Sequence, residues 1–326
     1  MQQSARDYSL ERLSQLRKKL EPVKPLLEGH PLCVYATGSY GRLEAWSGSD
    51  ADLFFLYDNA DDSERFPLTK FIRLSAALIE TTEEMGFPPF SGDGKYLEVQ
   101  YVGEMERVLG SPRDDSLNAF TARMLLLLES QPVYDEAVYT RLLERIVRFY
   151  YRDFADHAGT FLPAFLLNDI LRFWRTLTLN YEHHRLKLLE LTGDELALKK
   201  ADSALKNYKL KVSRLATCFS MVANLSAEPV PVTVETVLEL CRMTPAQRFG
   251  RLRAYGQAAD DLIDELVEIY DAFLNSTRCD KDDLLGEFVN SSHREQALGD
   301  AKRYGDLLYK LLQEVTPDER MRYLVI

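Results

Sequence analysis

Two aspartates separated by a single residue, Asp50 and Asp52, stand directly before the apolar run 53–57. Because side chains alternate across an extended chain, both carboxylates should point to the same side. Two carboxylates so placed repel each other unless a cation lies between them. Mg²⁺ is usually held in proteins by one or two carboxylates together with substrate phosphates. The pair therefore indicates phosphoryl or nucleotidyl transfer.

A glycine and a serine, Gly38 and Ser39, precede the aspartates in the sequence. A backbone without bulky side chains can bring its N–H groups and a hydroxyl close to phosphate oxygens. The pair would therefore complement a metal-binding carboxylate pair at a triphosphate. The alternative is a turn in which Gly, Ser and Asp serve the backbone alone, since these residues are also common in ordinary turns.

The segment from Gly38 to Asp52 reads GSYGRLEAWSGSDAD. Its Gly-Ser, Gly-Arg-x-Glu and Ser-Asp-x-Asp groups, with their internal spacing, resemble the signature of the DNA polymerase β-like nucleotidyltransferase superfamily. The spacing is most similar to that of the branch that contains the PII uridylyltransferase and the glutamine synthetase adenylyltransferase. The resemblance covers about fifteen residues in the first third of the chain.

The resemblance implies a metal-dependent enzyme that moves an NMP from an NTP to an acceptor and releases pyrophosphate. In such a site Asp50 and Asp52 hold Mg²⁺ or Mn²⁺, and Gly38 and Ser39 contact the terminal phosphates. Arg42 either contacts the nucleotide or forms a structural pair with Glu44 that fixes the loop.

The superfamily takes a third carboxylate from a later strand beside the aspartate strand. Alternating residues predict such a strand over 96–102, and Glu98 within it is the candidate third metal ligand. The superfamily more often has Asp at this position, and the alternative is that Glu98 faces solvent. If the resemblance holds, Glu98 contacts the metal ion at the attacking hydroxyl, whereas both aspartates contact both ions.

A predicted helix over 161–191 is apolar on nearly every face around 165–182, yet Arg172 and Arg175 share one stripe of it. Arginines on a mostly buried helix need anionic partners. The stripe therefore either holds a triphosphate or an acidic acceptor, or is satisfied locally, for example by Asp169 one turn away.

The segment from Arg185 to Arg214 contains eight basic residues against four acidic ones. Lys206 and Lys209 share a helical face in this segment. They either reach the nucleotide phosphates, as basic residues of helical domains in the superfamily often do, or belong to a solvated surface. A further short motif, from Arg152 to His157, resembles the Arg-x4-His motif of HEPN-type RNases, with ordinary helix-surface residues as the alternative.

The elements that must position the signature are a small α/β head and the helices after it. Apolar steps of three and four residues predict a helix over 8–27, which Pro22 and Pro25 end or kink. The apolar run 31–37 predicts the first strand, and 53–57 predicts a second strand that pairs back on it. Further helices are predicted over 68–85, 117–129, 139–154, 161–191, 195–225, 232–242, 252–274 and 297–312.

The pattern from Met105 onward is helical almost throughout. We therefore predict an α+β protein with a polymerase β-like nucleotidyltransferase α/β domain over 1–115. An all-helical bundle domain over 116–326 would bind substrate or nucleotide, with the active cleft between the domains.

The 326 residues include 46% hydrophobic residues, and the length favours two domains. The net charge of −11 argues against broad binding of double-stranded nucleic acid, because that affinity comes from basic residues. No apolar run is long enough for a membrane span, and no signal peptide is apparent. The four cysteines are far apart, which predicts reduced thiols and a cytoplasmic location.

The residues leave the acceptor open. Resemblance to the PII-modifying branch favours a protein side chain, whereas RNA and a small molecule are the alternatives. Transfer to another nucleotide would instead give a cyclic or linear oligonucleotide second messenger. A catalytically decayed module that binds nucleotide for regulation is the competing class.

Overall fold

A computed structural model of the protein describes residues 2–59, 64–90, 97–186 and 192–325. Its contacts divide the chain into two compact units. The first comprises Met1–Ala158 with Thr233–Thr244, and the second comprises Gly159–Val232 with Pro245–Ile326. Residues 116–158, which the sequence placed with the helical domain, thus group with the first unit. The predicted functional division at residue 115 stays a prediction.

The first unit is built on a mixed sheet whose strands, within the described residues, are ordered β3-β2-β1-β4. The strands are β1 (Leu32–Ala36), β2 (Leu53–Tyr57), β3 (Val99–Tyr101) and β4 (Gln131–Tyr134). β1 pairs antiparallel with both β2 and β4, whereas β2 and β3 are parallel. Every residue of β1 is buried, as its uniformly apolar sequence requires for a central strand.

Helices of the first unit cover both faces of this sheet. They are α1 (Gln2–Lys19), α2 (Lys24–Leu27), α3 (Gly38–Gly41), α4 (Leu68–Glu84), α5 (Val102–Val108), α6 (Pro112–Ser116), α7 (Ala119–Leu128), α8 (Glu136–Arg148) and α12 (Val234–Arg242). Leucines of α1 and α4 pack with Val34 and Phe55 in one core. On the opposite face Tyr35 packs against Tyr139 of α8, and its hydroxyl donates to Ala122 O at 3.4 Å. Because side chains alternate along β1 and β2, each strand contributes side chains to a core on each face of the sheet.

The helical segments of the second unit pack on one another. They are α9 (Ala164–Leu186), α10 (Gly193–Lys209), a π-helical segment (Leu210–Arg214), α11 (Leu215–Ala227), α13 (Pro245–Leu252), α14 (Gln257–Ser276), α15 (Lys281–Val289), α16 (Ser291–Val315) and α17 (Asp318–Val325). α10 packs against α15 and α14 against α16, with Tyr208 and Phe273 in ring contact at 5.1 Å. The predicted α+β class, a small sheet followed by many helices, is confirmed.

Several element bounds differ from those that the sequence predicts. The helix predicted over 8–27 ends at Lys19, and short 3-10 and α-helical turns follow around Pro22 and Pro25. The predicted helix 252–274 is interrupted, because Gly256 with φ +123° separates the turn Arg253–Tyr255 from α14. Tyr96, the start of the predicted strand 96–102, lies outside the described residues, as do residues 187–191 of the predicted helix 161–191 and of the basic segment.

β4 was not predicted, because the region over 116–326 was expected to be all-helical. Pro132 argued against a strand here, because proline has no N–H to donate to a neighbouring strand and within sheets occurs at edge strands and β-bulges. β4 is such an edge strand, and its pairing with β1 shifts between Val34 and Tyr35. Arg17 of α1 donates to Pro132 O from Nη2 at 2.5 Å and from Nε at 3.2 Å. No helix in the described ranges is long and apolar enough to cross a membrane.

A buried ion pair joins α6 to α7. Arg123 donates to both carboxylate oxygens of Asp114, at 2.8 and 2.7 Å, and its Nε donates to the hydroxyl of Tyr150 at 2.8 Å. The side chains of Arg123 and Asp114 are both 0% exposed. Removing one partner from such a pair leaves an uncompensated charge in the core.

Replacing Asp114 should therefore destabilise the first unit strongly. We expect Asp114→Ala to lower its free energy of unfolding by about 3–5 kcal/mol, measured by urea denaturation followed with hydrogen exchange. Glu144→Gln is the control, because Glu144 pairs with Arg148 on an exposed face. That substitution should cost less than about 1 kcal/mol. Equal losses in the two variants would contradict the structural role of the buried pair.

Candidate active site

The Gly-Ser pair forms a tight helical turn directly after β1. Thr37 is extended, and Gly38 then takes φ +65°, a conformation that favours glycine. The turn closes when the Gly41 and Arg42 N–H groups donate to Thr37 O and Gly38 O, at 3.1 and 3.0 Å. A helical turn leaves its first N–H groups without partners inside the turn, so they point outward at its N-terminal end.

Three of the four residues of the turn, Gly38, Tyr40 and Gly41, are buried. Tyr40 is buried and lies 5.5 Å from the ring of Phe87, and burial raises the pKa of its hydroxyl. Ser39 is half-buried. The apolar side of the turn is thus anchored in the core, and Ser39 is left at the accessible side beside the Gly38 backbone.

Asp52 lies against the start of this turn. The Thr37 N–H donates to Asp52 O at 2.9 Å, which continues the pairing of β1 and β2 past Ala36 and Leu53. A Cβ built on Gly38 would be 2.9 Å from Asp52 Oδ2. The carboxylate and the Gly38 backbone are therefore in contact, and a side chain at position 38 would displace one of them.

Asp50 is exposed, and a closed turn precedes it. The Ser49 N–H donates to Trp46 O at 3.0 Å, and the Trp46 N–H donates to Ser49 Oγ at 3.1 Å. Gly48 lies against the Trp46 ring, where a Cβ would overlap it. β2 begins at Leu53, so both aspartates lie in the residues that lead into the strand and not in the strand itself.

The other end of the turn is held by residues that follow α7. A Cβ on Gly41 would overlap the backbone oxygen of Glu129. Arg42 donates to Glu44 Oε2 at 2.8 Å and to Glu129 Oε2 at 2.5 Å, and the Arg42 side chain is 10% exposed. The loop-fixing alternative for Arg42 and Glu44 is thus observed, and contact of Arg42 with nucleotide stays a prediction.

Sequence reasoning missed Glu129. The residue stands at the end of an apolar helix and carries no motif, so the available signal was a lone acid after a run of buried leucines. A buried acid of this kind requires a cationic partner, and Arg42 in the signature is the arginine that it contacts.

Glu98 is exposed and directly precedes β3. The parallel register pairs Phe55 with Val99, so one more step would place Glu98 beside Phe54, on the same sheet face as Asp52. Across the described residues no group of three His, Cys, Asp or Glu side chains is placed to hold a metal ion. Glu98 therefore does not complete a three-carboxylate set in this arrangement, and its catalytic role stays a prediction.

The predicted cations of the helical domain lie in the second unit. Arg172 contacts Asp169 Oδ1 at 3.4 Å, which is the local pairing considered from sequence, and Arg175 is exposed. Lys206 pairs with Asp202 at 2.8 Å on an exposed face of α10. Lys209 is also exposed. The role of these four residues in nucleotide binding stays a prediction.

The Arg152 to His157 motif lies at the surface of the first unit. Arg152 donates to Glu106 O at 3.1 Å, and His157 is exposed in a short 3-10 turn. The helix-surface alternative accounts for what is seen.

Comparison with known proteins supports a class for the part of the chain that carries the turn and the aspartates. A family model described as "Putative nucleotidyltransferase DUF294" matches residues 1–106. The match supports membership of a nucleotidyltransferase superfamily and a nucleotidyltransferase-like activity. No curated protein matches the chain.

Gly38 offers a direct test of the contact between the turn and Asp52. Gly38→Ala should lower stability by about 1 kcal/mol because of its positive φ, and should also displace the Asp52 carboxylate. Gly29→Ala is the matched control, because Gly29 has φ +76° and nothing within 4 Å of its Cβ position. We expect similar loss of thermal stability in both variants and loss of NTP binding in Gly38→Ala alone. Equal NTP binding in the two variants would contradict this geometry.

Proposed function

We propose that this protein is a metal-dependent nucleotidyltransferase that moves an NMP from an NTP to an acceptor with release of pyrophosphate. The observation that carries the proposal is the contact between the Asp52 carboxylate and the Gly38 backbone at the start of the Ser39 turn. If Asp52 holds the metal ion and the turn binds the phosphates, the two lie next to each other. The family match over residues 1–106 independently supports the same class of activity.

The donor set at this place fits Mg²⁺ or Mn²⁺. Asp50 is exposed and Asp52 half-buried, so both offer hard carboxylate oxygens without being enclosed in the core. Mg²⁺ needs only one or two protein carboxylates when phosphate oxygens supply the remaining positions. We assign Asp50 and Asp52 as ligands. We also propose Glu98 as the third ligand, nearest the attacking hydroxyl, which requires its side chain to turn toward the aspartates from its present position. Bound metal would lower the pKa of that hydroxyl and neutralise the departing pyrophosphate.

The chain's own residues would position the nucleotide. Ser39 presents a hydroxyl beside the outward N–H groups of the turn, and these donors suit the terminal phosphates. Gly38 allows close approach because it has no side chain. In nucleotidyl transfer little covalent work falls to the protein, so catalysis consists of positioning and electrostatic stabilisation. We further propose that Arg172, Arg175, Lys206 and Lys209 contribute to binding the triphosphate.

The acceptor that we favour is a protein side chain, because the signature is most similar to the PII uridylyltransferase and glutamine synthetase adenylyltransferase branch. The four cysteines form no disulfide, and we propose a cytoplasmic location on that basis. Labelling of a lysate with each of the four NTPs, radiolabelled at the α-phosphate, identifies the acceptor. Label on RNA, on a small molecule or in an oligonucleotide product would replace the protein acceptor by that class.

Nucleotide binding is the first test of the class. Each NTP with Mg²⁺ or Mn²⁺ should raise the melting temperature of a functional enzyme, because a ligand that binds only the folded form stabilises it. The shift should require the metal. If no NTP shifts the melting temperature with either metal, the transferase proposal is overturned. If an NTP shifts it but no NMP is transferred, the decayed nucleotide-binding module replaces this proposal.

Asp52 and Glu98 should differ in what the loss of each carboxylate damages. We expect Asp52→Asn to abolish transfer and to weaken metal-dependent NTP binding, since the triphosphate would lose the ion that it shares with Asp52. Glu98→Gln should leave NTP binding largely intact and lower kcat by several orders of magnitude, as expected when stabilisation specific to the transition state is removed. Titration by thermal shift and single-turnover kinetics measure the two effects.

Glu11→Gln is the control for this comparison, because Glu11 is exposed on α1 and carries the same change of charge. It should retain both binding and turnover. If Glu98→Gln keeps wild-type turnover, the third carboxylate is a different residue.

A further inference from the structure

We propose that Glu129 is a positioning residue for this reaction, which holds the Ser39 turn in place through Arg42. The proposal rests on the proposed function, because the turn is the phosphate cradle of that function. Glu129 follows α7 and stands far from the signature in sequence, and the family match ends before it at residue 106.

Glu129 contacts the turn with both its backbone and its side chain. Its backbone oxygen occupies the space that a side chain on Gly41 would need. Its carboxylate accepts from Arg42 Nη1 at 2.5 Å. Two residues later, Gln131 donates from Nε2 to Gly41 O at 3.4 Å. The segment from Glu129 to Gln131 thus fixes the C-terminal end of the turn, while Asp52 contacts its N-terminal end.

Arg42 is paired with two carboxylates, and the second one does more than stabilise the fold. Glu44 already provides a carboxylate for Arg42, and the side chain of Glu129 adds a second one that is 0% exposed. Burying another carboxylate is costly, and buried ion pairs contribute little net stability relative to apolar residues of the same size. What the second carboxylate adds is a fixed orientation, because it connects the guanidinium to a different part of the chain.

The backbone of residues 42–44 connects the Arg42 side chain to the turn. The Arg42 N–H closes the turn by donating to Gly38 O, and the Glu44 N–H donates to Ser39 O at 2.8 Å. Displacement of residues 42–44 would therefore shift the Gly38 and Ser39 backbone, which contacts Asp52 on the opposite side. Glu129 reaches the phosphate cradle through this path without touching the substrate.

Substitution of Glu129 by Gln is the central test, with Glu129→Asp as a second variant that keeps the charge but shortens the side chain. Glu129→Gln leaves Arg42 paired with Glu44, so the fold has no uncompensated cation. Hydrogen exchange of the Gly41 and Arg42 amides reports the turn itself. Thermal-shift titration with Mg²⁺ and each of ATP, GTP, CTP and UTP reports the cradle, and KM and kcat follow for the NTP that binds.

Asp114→Asn is the matched control, because Asp114 is an equally buried carboxylate that pairs with Arg123 of the same unit. If this variant does not fold, Tyr150→Phe removes the Nε partner of the same arginine. Each control should lower stability while leaving the Glu129–Arg42 pair in place, and should keep wild-type NTP affinity at a temperature where it is folded.

In Glu129→Gln we expect the Gly41 and Arg42 amides to exchange about tenfold faster or more, with α8 unchanged. NTP affinity should fall by about tenfold or more, as for a lost hydrogen bond to a charged group. KM should rise and kcat should fall, with Glu129→Asp intermediate. A lower melting temperature with unchanged exchange, KM and kcat would make Glu129 purely structural and overturn the proposal. Failure of the wild-type protein to bind any of the four NTPs would instead overturn the proposed function, and this proposal with it.

Discussion

Two glycines, Gly38 and Gly41, allow other segments of the first unit to pack closely against the Gly38–Gly41 turn. At Gly38 the missing Cβ leaves room for the Asp52 carboxylate, and at Gly41 it leaves room for the backbone of Glu129. The turn is therefore clamped between the segment that leads into β2 and the segment that leads into β4. Neither approach is possible for a residue larger than glycine unless one of these segments moves.

β1 connects this clamp to the rest of the unit. It is a central strand that pairs with β2 on one side and β4 on the other, and its side chains enter the cores on both faces of the sheet. The turn begins at Gly38, directly after Thr37, whose N–H makes the last hydrogen bond between the β1 and β2 segments. The sheet therefore holds the start of the turn in place. Sites that are built at the end of a buried strand are held more firmly than sites on loops. The Ser9 hydroxyl of α1 adds a further restraint by accepting from the Ala45 N–H at 3.0 Å.

Local patterns predicted the parts of this arrangement that depend on neighbours in sequence. The run 31–37 gave β1 at Leu32–Ala36, and the spacing of Asp50 and Asp52 gave two carboxylates at the entrance to β2. Glu129 and β4 could not be predicted from the sequence, because their roles arise from contacts with residues about ninety positions earlier. A short segment that contains proline has little strand propensity of its own, and tertiary pairing with β1 decides its conformation.

β4 also protects the sheet at its outer edge. An exposed edge strand offers unpaired N–H and C=O groups to the edge of another molecule, and such edges lead to aggregation. Here Pro132 has no N–H to offer, Arg17 occupies the Pro132 carbonyl, and the register shift opposite Val34 and Tyr35 disrupts the regular ladder. Concentrated solutions of the protein should thus resist edge-to-edge sheet polymerisation from this side, and the Arg17 guanidinium is one of three features that contribute to this resistance.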